Sequence, residues 1–378
     1  MIRKIFFWAH LVAGLVAGLV VFTLCLTGAF ITFDRQITNW AERDARALPP
    51  SSGSERVPPA TLIANAAKLS NSKVSNMEWF ADPKMPVRVY FQDRSVALFN
   101  SWTGEALGRG AQGLREFFRV TTLVHVNLAM LSAGKWMVDV ANVGFVFLAL
   151  SGLWIWWPRQ WRWKALRNSL AVRFDVGGKA RDWNWHNALG FWFLLPLLFV
   201  AASGLVLSFK PVDLWWRDFA GKHLLAEVHP PAPAPATNSA SSGWNSVMAS
   251  VQQQYPRWRW MMTNNSPHGG NITILLGTGS FGQRTLVHTL TLDPAASTIV
   301  KTSTWENDIA GNRARAIARL GHTGEIAGLW GQWLAFLACL VGLVLVYTGF
   351  ALSWRRFFPR RTRAKSQQPS NERQVSAA

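Results

Sequence analysis

Four of the chain's eight histidines recur in a pattern that could do chemistry. His10 opens HLVAG and His186 opens HNALG, both His-x3-Gly at the mouth of a long apolar run. His125 and His322 stand ahead of two further apolar runs. All four runs close on [Ser/Thr]-Gly-x4-[Phe/Trp], as TGAFITF, SGLWIWW, SGLVLSF and TGFALSW. His10 precedes Thr27 by 17 residues, and His186 precedes Ser203 by the same 17. His125 precedes Ser151 by 26, and His322 precedes Thr348 by 26.

Neutral imidazole is a common metal ligand. Two imidazoles facing one another across a helix bundle can supply both axial ligands of a haem iron, a set suited to electron transfer. The spacing predicts two such pairs at matched depth, His10 with His186 and His125 with His322. Residues four apart share a helix face. Gly14, Gly190 and Ala129, each four residues after a histidine, would then leave room for a porphyrin. His322 departs from this, with Ile326 at that place and Gly324 and Ala327 as the nearest small residues. No cysteine or carboxylate accompanies either pair at short spacing, so a zinc or copper site is less apt. Asp139 and Glu325 fall near the outer interface, where either could orient a histidine. His223, His229, His268 and His288 have no repeat partner and read as solvated surface residues.

The elements that must position these residues are apolar. The chain is 49% hydrophobic and 16% charged, with 22 Trp; a soluble domain is nearer a quarter charged. Four runs, 6–33, 136–157, 188–209 and 326–354, reach the roughly 20 residues that span ~30 Å of hydrocarbon. The first is longer than a signal-peptide core and carries no cleavage pattern, so it reads as a retained helix. Basic residues cluster in PRQWRWKALRNSLAVRF and RRFFPRRTRAK. The positive-inside rule places both, with the N-terminus, in the cytoplasm, and the two long connections outside. Topology and anionic lipid account for the net charge of +19 without nucleic acid. Cys25 and Cys339 lie inside apolar runs and suggest no disulfide framework.

Matched spacings and endings make the chain a tandem repeat of helix, external segment, helix. The reading is a membrane protein of four transmembrane helices with two small α+β external modules. Its segments are helix one at 1–33, module one at 34–120, an interfacial segment and helix two at 121–157, and a basic loop at 158–185. Then come helix three at 186–209, module two at 210–320, helix four at 321–354 and a basic tail at 355–378. Each module starts with an amphipathic helix, 59–69 and 244–254. Strands follow at 75–80, 86–92 and 95–100, then at 257–263, 271–276 and 284–292, with LDPAAS as a turn. Residues 229–243 form a Pro/Ala linker, and the tail beyond 363 reads as disordered. Trp79, Phe80, Trp258 and Trp260 read as module core.

Taken together, WAHLVAGLVAGL, VHVNLAML, WHNALGFW, LGHTGEIAGLWG and the four endings make the chain resemble the PepSY-associated transmembrane family. ALFNSWTGEAL and LTLDPAASTIV are similar to the strand-turn ends of PepSY modules. The resemblance covers roughly residues 1–360. It implies a multi-pass protein of the bacterial inner membrane, with cytoplasmic termini and periplasmic loops, tied to iron uptake. It also implies two b-type haems per chain, held by His10, His125, His186 and His322, and reduction of a ferric siderophore. The partners implied are the siderophore, lipid, periplasmic iron-uptake proteins and a donor that is a quinol or a cytoplasmic reductase. No dinucleotide fingerprint, P-loop or catalytic triad is present, so the chain would relay electrons between partners. Two alternatives stay open: a non-enzymatic PepSY scaffold or regulator, and a quinol-linked di-haem cytochrome with another acceptor. Span aromatics Phe145, Phe147, Trp192 and Phe336 read as packing.

Overall fold

A computed structural model describes residues 1–49, 51, 54–158, 162–225, 251–268, 271–280, 283–293 and 298–358. The linker at 229–243, His229, most of the helix expected at 244–254, most of the LDPAAS turn and the tail lie outside the described residues.

The bundle is built on α1 (Ile2–Ile31), α5 (Leu131–Trp156) and α11 (Gly328–Phe357). These three helices are long and apolar enough to cross a membrane. A fourth span exists if α7 (Gly178–Trp192) and α8 (Leu194–Ser208) are taken together, but they meet at 68°. Pro196 explains the break: it has no N–H to donate, and its ring displaces the carbonyl four residues back, at Trp192, where α7 ends. The third run is therefore bent rather than straight. α1 packs on α5 and α11, α8 on α5, and α7 on α11. The buried face of α1 carries Ala17, Gly18, Val21, Cys25 and Gly28, a small-residue stripe that lets helix backbones approach. Gly18 abuts the Phe350 ring, and Gly342 abuts Cys25 Sγ.

Helices α2 (Asp34–Ala41), α4 (Gln112–Asn127), α9 (Lys210–His223) and α10 (Ala310–His322) link the spans to the extramembrane part. α3 (Pro59–Leu69) packs under the first strands, as expected. The first repeat contributes β1 (Val74–Phe80), β2 (Val87–Phe91), β3 (Val96–Phe99) and β4 (Ala106–Arg109). The second contributes β5 (Trp260–His268), β6 (Asn271–Gly277), β7 (Val287–Asp293) and β8 (Thr298–Ser303). These are not two modules with separate sheets. β1 pairs antiparallel with β5, Glu78 opposite Met262 and Phe80 opposite Trp260, giving one sheet in the order β4-β3-β2-β1-β5-β6-β7-β8.

One core serves both repeats. Leu62, Met77, Trp79 and Phe99 cluster with Val251, Trp258, Met261, Ile274 and Leu290. Trp79, Trp258 and Trp260 are buried as expected, and Phe80 lies beneath the Arg88 guanidinium. A buried ionic network ties this sheet to the bundle. Arg88 bonds Glu42 at 2.9 Å and Glu78 at 3.1 Å, Arg115 of α4 grips Glu42 at 2.8 Å, and Tyr90 donates to Glu78. Each buried carboxylate thus has a cationic partner, the condition for burying charge.

Candidate functional site

The [Ser/Thr]-Gly endings hold the histidines. Ser151 Oγ lies 2.9 Å from His10 Nδ1, Thr27 Oγ1 2.9 Å from His125 Nδ1, and Thr348 Oγ1 2.9 Å from His186 Nδ1. His322 Nδ1 lies 3.3 Å from Ser203 Oγ and donates to the Val200 carbonyl at 2.9 Å. Within each repeat the grip is reciprocal: Ser151 of α5 holds His10 of α1, and Thr27 of α1 holds His125 of α4, the helix that leads into α5. Thr348 and Ser203 hold His186 and His322 in the same way. That reciprocity is why the 17- and 26-residue spacings match.

The hydroxyl protons are already committed. Ser151 donates to Phe147 O, Thr27 to Thr23 O, Ser203 to Phe199 O and Thr348 to Val344 O, each one helical turn back. The hydroxyl oxygen is thus left to accept from the imidazole, which fixes the Nδ1–H tautomer. Val200 O at His322 enforces the same tautomer, since a carbonyl can only accept. Every ring is left with an unprotonated Nε2, the form that ligates a metal. This is the orientation of a ligating histidine by its other nitrogen.

The glycine of each motif makes room for the ring. A Cβ would come within 3.3 Å of His10 Cε1 at Gly152, 3.4 Å of His125 Cε1 at Gly28, 3.2 Å of His322 Cε1 at Gly204 and 3.5 Å of His186 Cε1 at Gly349. By contrast, a Cβ at Gly14 or Gly190 would make an ordinary 3.7 Å contact with Leu148 or Leu345. Ala129 does not share a helix face with His125. α4 ends at Asn127, and Leu128 and Ala129 are left-handed.

That turn also corrects the depth of His125. A continuous helix from His125 to Ser151 would place it about 39 Å from the [Ser/Thr]-Gly level. Instead α4 folds back on α5 through the left-handed residues Leu128, Ala129 and Leu131, and His125 comes level with Thr27. Ser132–Lys135 stay helical in the first turn of α5, and Gly134 among them permits the fold. A side chain on Gly134 would overlap the Asn127 carbonyl. Gly331, nine residues after His322 as Gly134 is after His125, abuts the Gly324 carbonyl in the same way.

The structure brings the histidines together as the predicted pairs. The ring centroids of His10 and His186 are 6.4 Å apart, and those of His125 and His322 are 6.1 Å apart. Two imidazoles on opposite sides of one metal ion, with metal–nitrogen bonds of about 2 Å, place their centroids about 6 Å apart. Among the described residues, no group of three or more His, Cys, Asp or Glu converges. Each pair offers two ligands only, which fits a metal that brings its own equatorial donors, as in haem. His10 and Thr27 lie on one helix, 17 residues and about 25 Å apart, so the pairs sit at opposite ends of the bundle. Between them Ala17, Val21, Cys25, Ala141 and Phe145 pack as an apolar core.

Other expected residues lie apart from the pairs. Asp139 binds Lys135, and Glu325 accepts from Thr323. Neither bonds a histidine. His223 lies tilted against Phe219, and His288 tilted against Tyr255. The Ser/Thr anchors were visible in the sequence as repeated endings, but their partners were not. The matched spacings were the signal that they had partners.

A protein whose long apolar helices carry two partly buried histidine pairs beside a single eight-stranded sheet is a membrane protein. Comparison with protein families matches residues 7–356, nearly the whole chain, to the PepSY-associated TM region, and the chain belongs to that family. No curated protein sequence matches it.

Proposed function

We propose that the chain is an electron carrier of the bacterial inner membrane that binds two b-type haems and passes electrons outward to a ferric siderophore. The observation that carries this reading is the geometry of the four histidines: each fixed through Nδ1 with Nε2 free, in two pairs with centroids 6.4 and 6.1 Å apart. His10 and His186 would hold the cytoplasmic-side haem, and His125 and His322 the periplasmic-side haem. When bound, each haem supplies a one-electron couple.

The chain's own residues do the rest. Ser151, Thr27, Thr348 and Ser203 orient the rings, so that little reorganisation is needed when charge changes. The apolar packing around Val21 and Phe145 keeps water and protons out of the space between the pairs. With α7 and α8 counted as one bent span, the basic loop and tail support a topology in which that loop and both termini are cytoplasmic and the sheet is periplasmic. A ferric chelate reduced there loses affinity for its iron, and one electron suffices to release it. The donor would be a quinol or a cytoplasmic reductase.

The test is the visible spectrum of detergent-purified protein, oxidised and dithionite-reduced, with pyridine-haemochrome quantification. About two low-spin haems per chain by this count would support both pairs. Colourless protein after expression with ample haem would remove the reading and leave a PepSY scaffold. Loss of ferric-chelate reduction in membranes lacking the protein would then separate the siderophore reductase from a cytochrome with another acceptor.

A further inference from the structure

The two histidine pairs differ in what lies beside them. At the inner pair, a Cβ on Gly152 or Gly349 would meet only the His10 or His186 ring within 4 Å. At the outer pair a third helix intrudes. A Cβ on Gly28 would meet Cys339 Sγ at 3.1 Å as well as His125, and a Cβ on Gly204 would meet Asn142 Nδ2 at 2.7 Å as well as His322. Asn142 and Cys339 are repeat equivalents, each 17 residues after its histidine. One repeat has a thiol there, which packs as a small apolar group. The other has an amide.

That amide has no ordinary explanation. Asn142 is 8% exposed within the apolar helix α5; its amide bonds no described residue and keeps a little accessible surface beside Gly204. An unpaired amide is costly to bury, and polar groups inside membrane spans mark function by default. Leucine would fill the same space without that cost. Around a Cβ built on Gly204, Asn142 Nδ2, the positive end of the amide dipole, stands nearest at 2.7 Å and His322 Cε1 next at 3.2 Å, so both share the space that the missing side chain leaves.

We infer that Asn142 is a positioning residue of the outer centre: its amide faces the group that His125 and His322 hold and raises that centre's reduction potential above the inner one's. This rests on the haem reading above. A fixed dipole in a weakly screening interior acts strongly. Its positive end disfavours the ferric state, which carries one more positive charge than the ferrous. The inner centre, without such a neighbour, keeps the lower potential. A single electron then moves downhill from the inner to the outer centre, with no atom transferred.

The experiment is a spectroscopic redox titration of the full-length protein in detergent. Wild type is expected to titrate in two waves, and His322→Ala identifies the outer one by its loss. Asn142→Leu should keep the haem content and move only the outer wave to lower potential. Asn142→Gln, which retains the amide donor on a longer side chain, should fall between. Two haems whose waves ignore Asn142→Leu, or an outer wave that rises, would overturn the inference and leave the haem reading intact. Loss of the outer haem in both variants would also overturn it, making Asn142 structural. Wild-type protein without haem would overturn the haem reading itself.

Discussion

Ser151 Oγ sits 2.9 Å from Nδ1 of His10, a residue 141 positions earlier in the chain, while Gly152 beside it leaves space for the same ring. One dipeptide thus fixes both the tautomer and the seat of a histidine on another helix. Ser151→Ala removes the acceptor and frees the ring to turn. Losses of about 10- to 100-fold in metal affinity are typical when such a partner is removed. The expected result is faster haem loss from the inner pair alone, read as transfer to apomyoglobin. Equal loss from both centres would contradict the one-histidine, one-anchor arrangement.

The pairing across repeats makes its own prediction. His10→Ala and His186→Ala should each remove one haem per chain, and it should be the same haem. The double variant should lose no more than either single. His125→Ala with His322→Ala should behave alike at the other centre. Haemochrome counts across the four singles and two doubles check this. If the His10→Ala, His186→Ala double variant lost both haems, the pairs would be wrongly drawn.

The α4–α5 turn supports the outer pair from a distance. A methyl at Gly134 would collide with the Asn127 carbonyl, so the turn would open and carry His125 away from Thr27. Gly134→Ala should therefore cost the outer haem and spare the inner one, although Gly134 is no ligand. Gly331→Ala should do the same through His322. Two retained haems in Gly134→Ala would show that the turn does not set the depth of His125.

How far the sequence disclosed this arrangement depended on periodicity. The apolar runs and the matched spacings are local patterns, and they yielded the spans and the histidine pairs. The grip of Thr27 on His125 joins residues 98 apart, and no local pattern encodes it. Strand β4, four exposed residues reading ALGR, lacks the alternation that marks a half-buried strand. The β1–β5 junction was hidden because pairing register between distant strands depends on tertiary docking. The role of Gly134 lies in the backbone it touches, the Asn127 carbonyl, and that approach depends on the turn between α4 and α5. Pro196 was readable as a helix breaker, but its consequence depends on α7 and α8 packing against different neighbours.

The sheet is fixed to the bundle by charge, and that link should be measurable as stability. Arg88→Met leaves Glu42 and Glu78 buried, with Glu42 keeping Arg115, and Glu78 keeping Tyr90 and the nearby charge of Arg35. Breaking a buried pair from one side costs about 3–5 kcal/mol. Thermal unfolding in detergent should show a clear fall in the midpoint for Arg88→Met. Replacing Arg88, Glu42 and Glu78 together by apolar residues should restore part of it. A triple variant no better than the single would indicate that the network contributes more than the neutralisation of its own charges.

Orientation is the premise on which outward electron flow rests, and it can be tested apart from any cofactor. Lys164, Arg167, Arg173, Lys179 and Arg181 cluster between the second and third spans, and such clusters stay in the cytoplasm. The turn at Arg94, between β2 and β3, belongs to the sheet on the opposite side of the bundle in this topology. Alkaline phosphatase, which is active only outside the cytoplasm, should be active when fused after residue 94 and inactive when fused after residue 175. A fluorescent protein that matures only in the cytoplasm should give the reverse. The opposite pattern would place the sheet inside, and the His125–His322 centre would then face the cytoplasm as the site where electrons arrive.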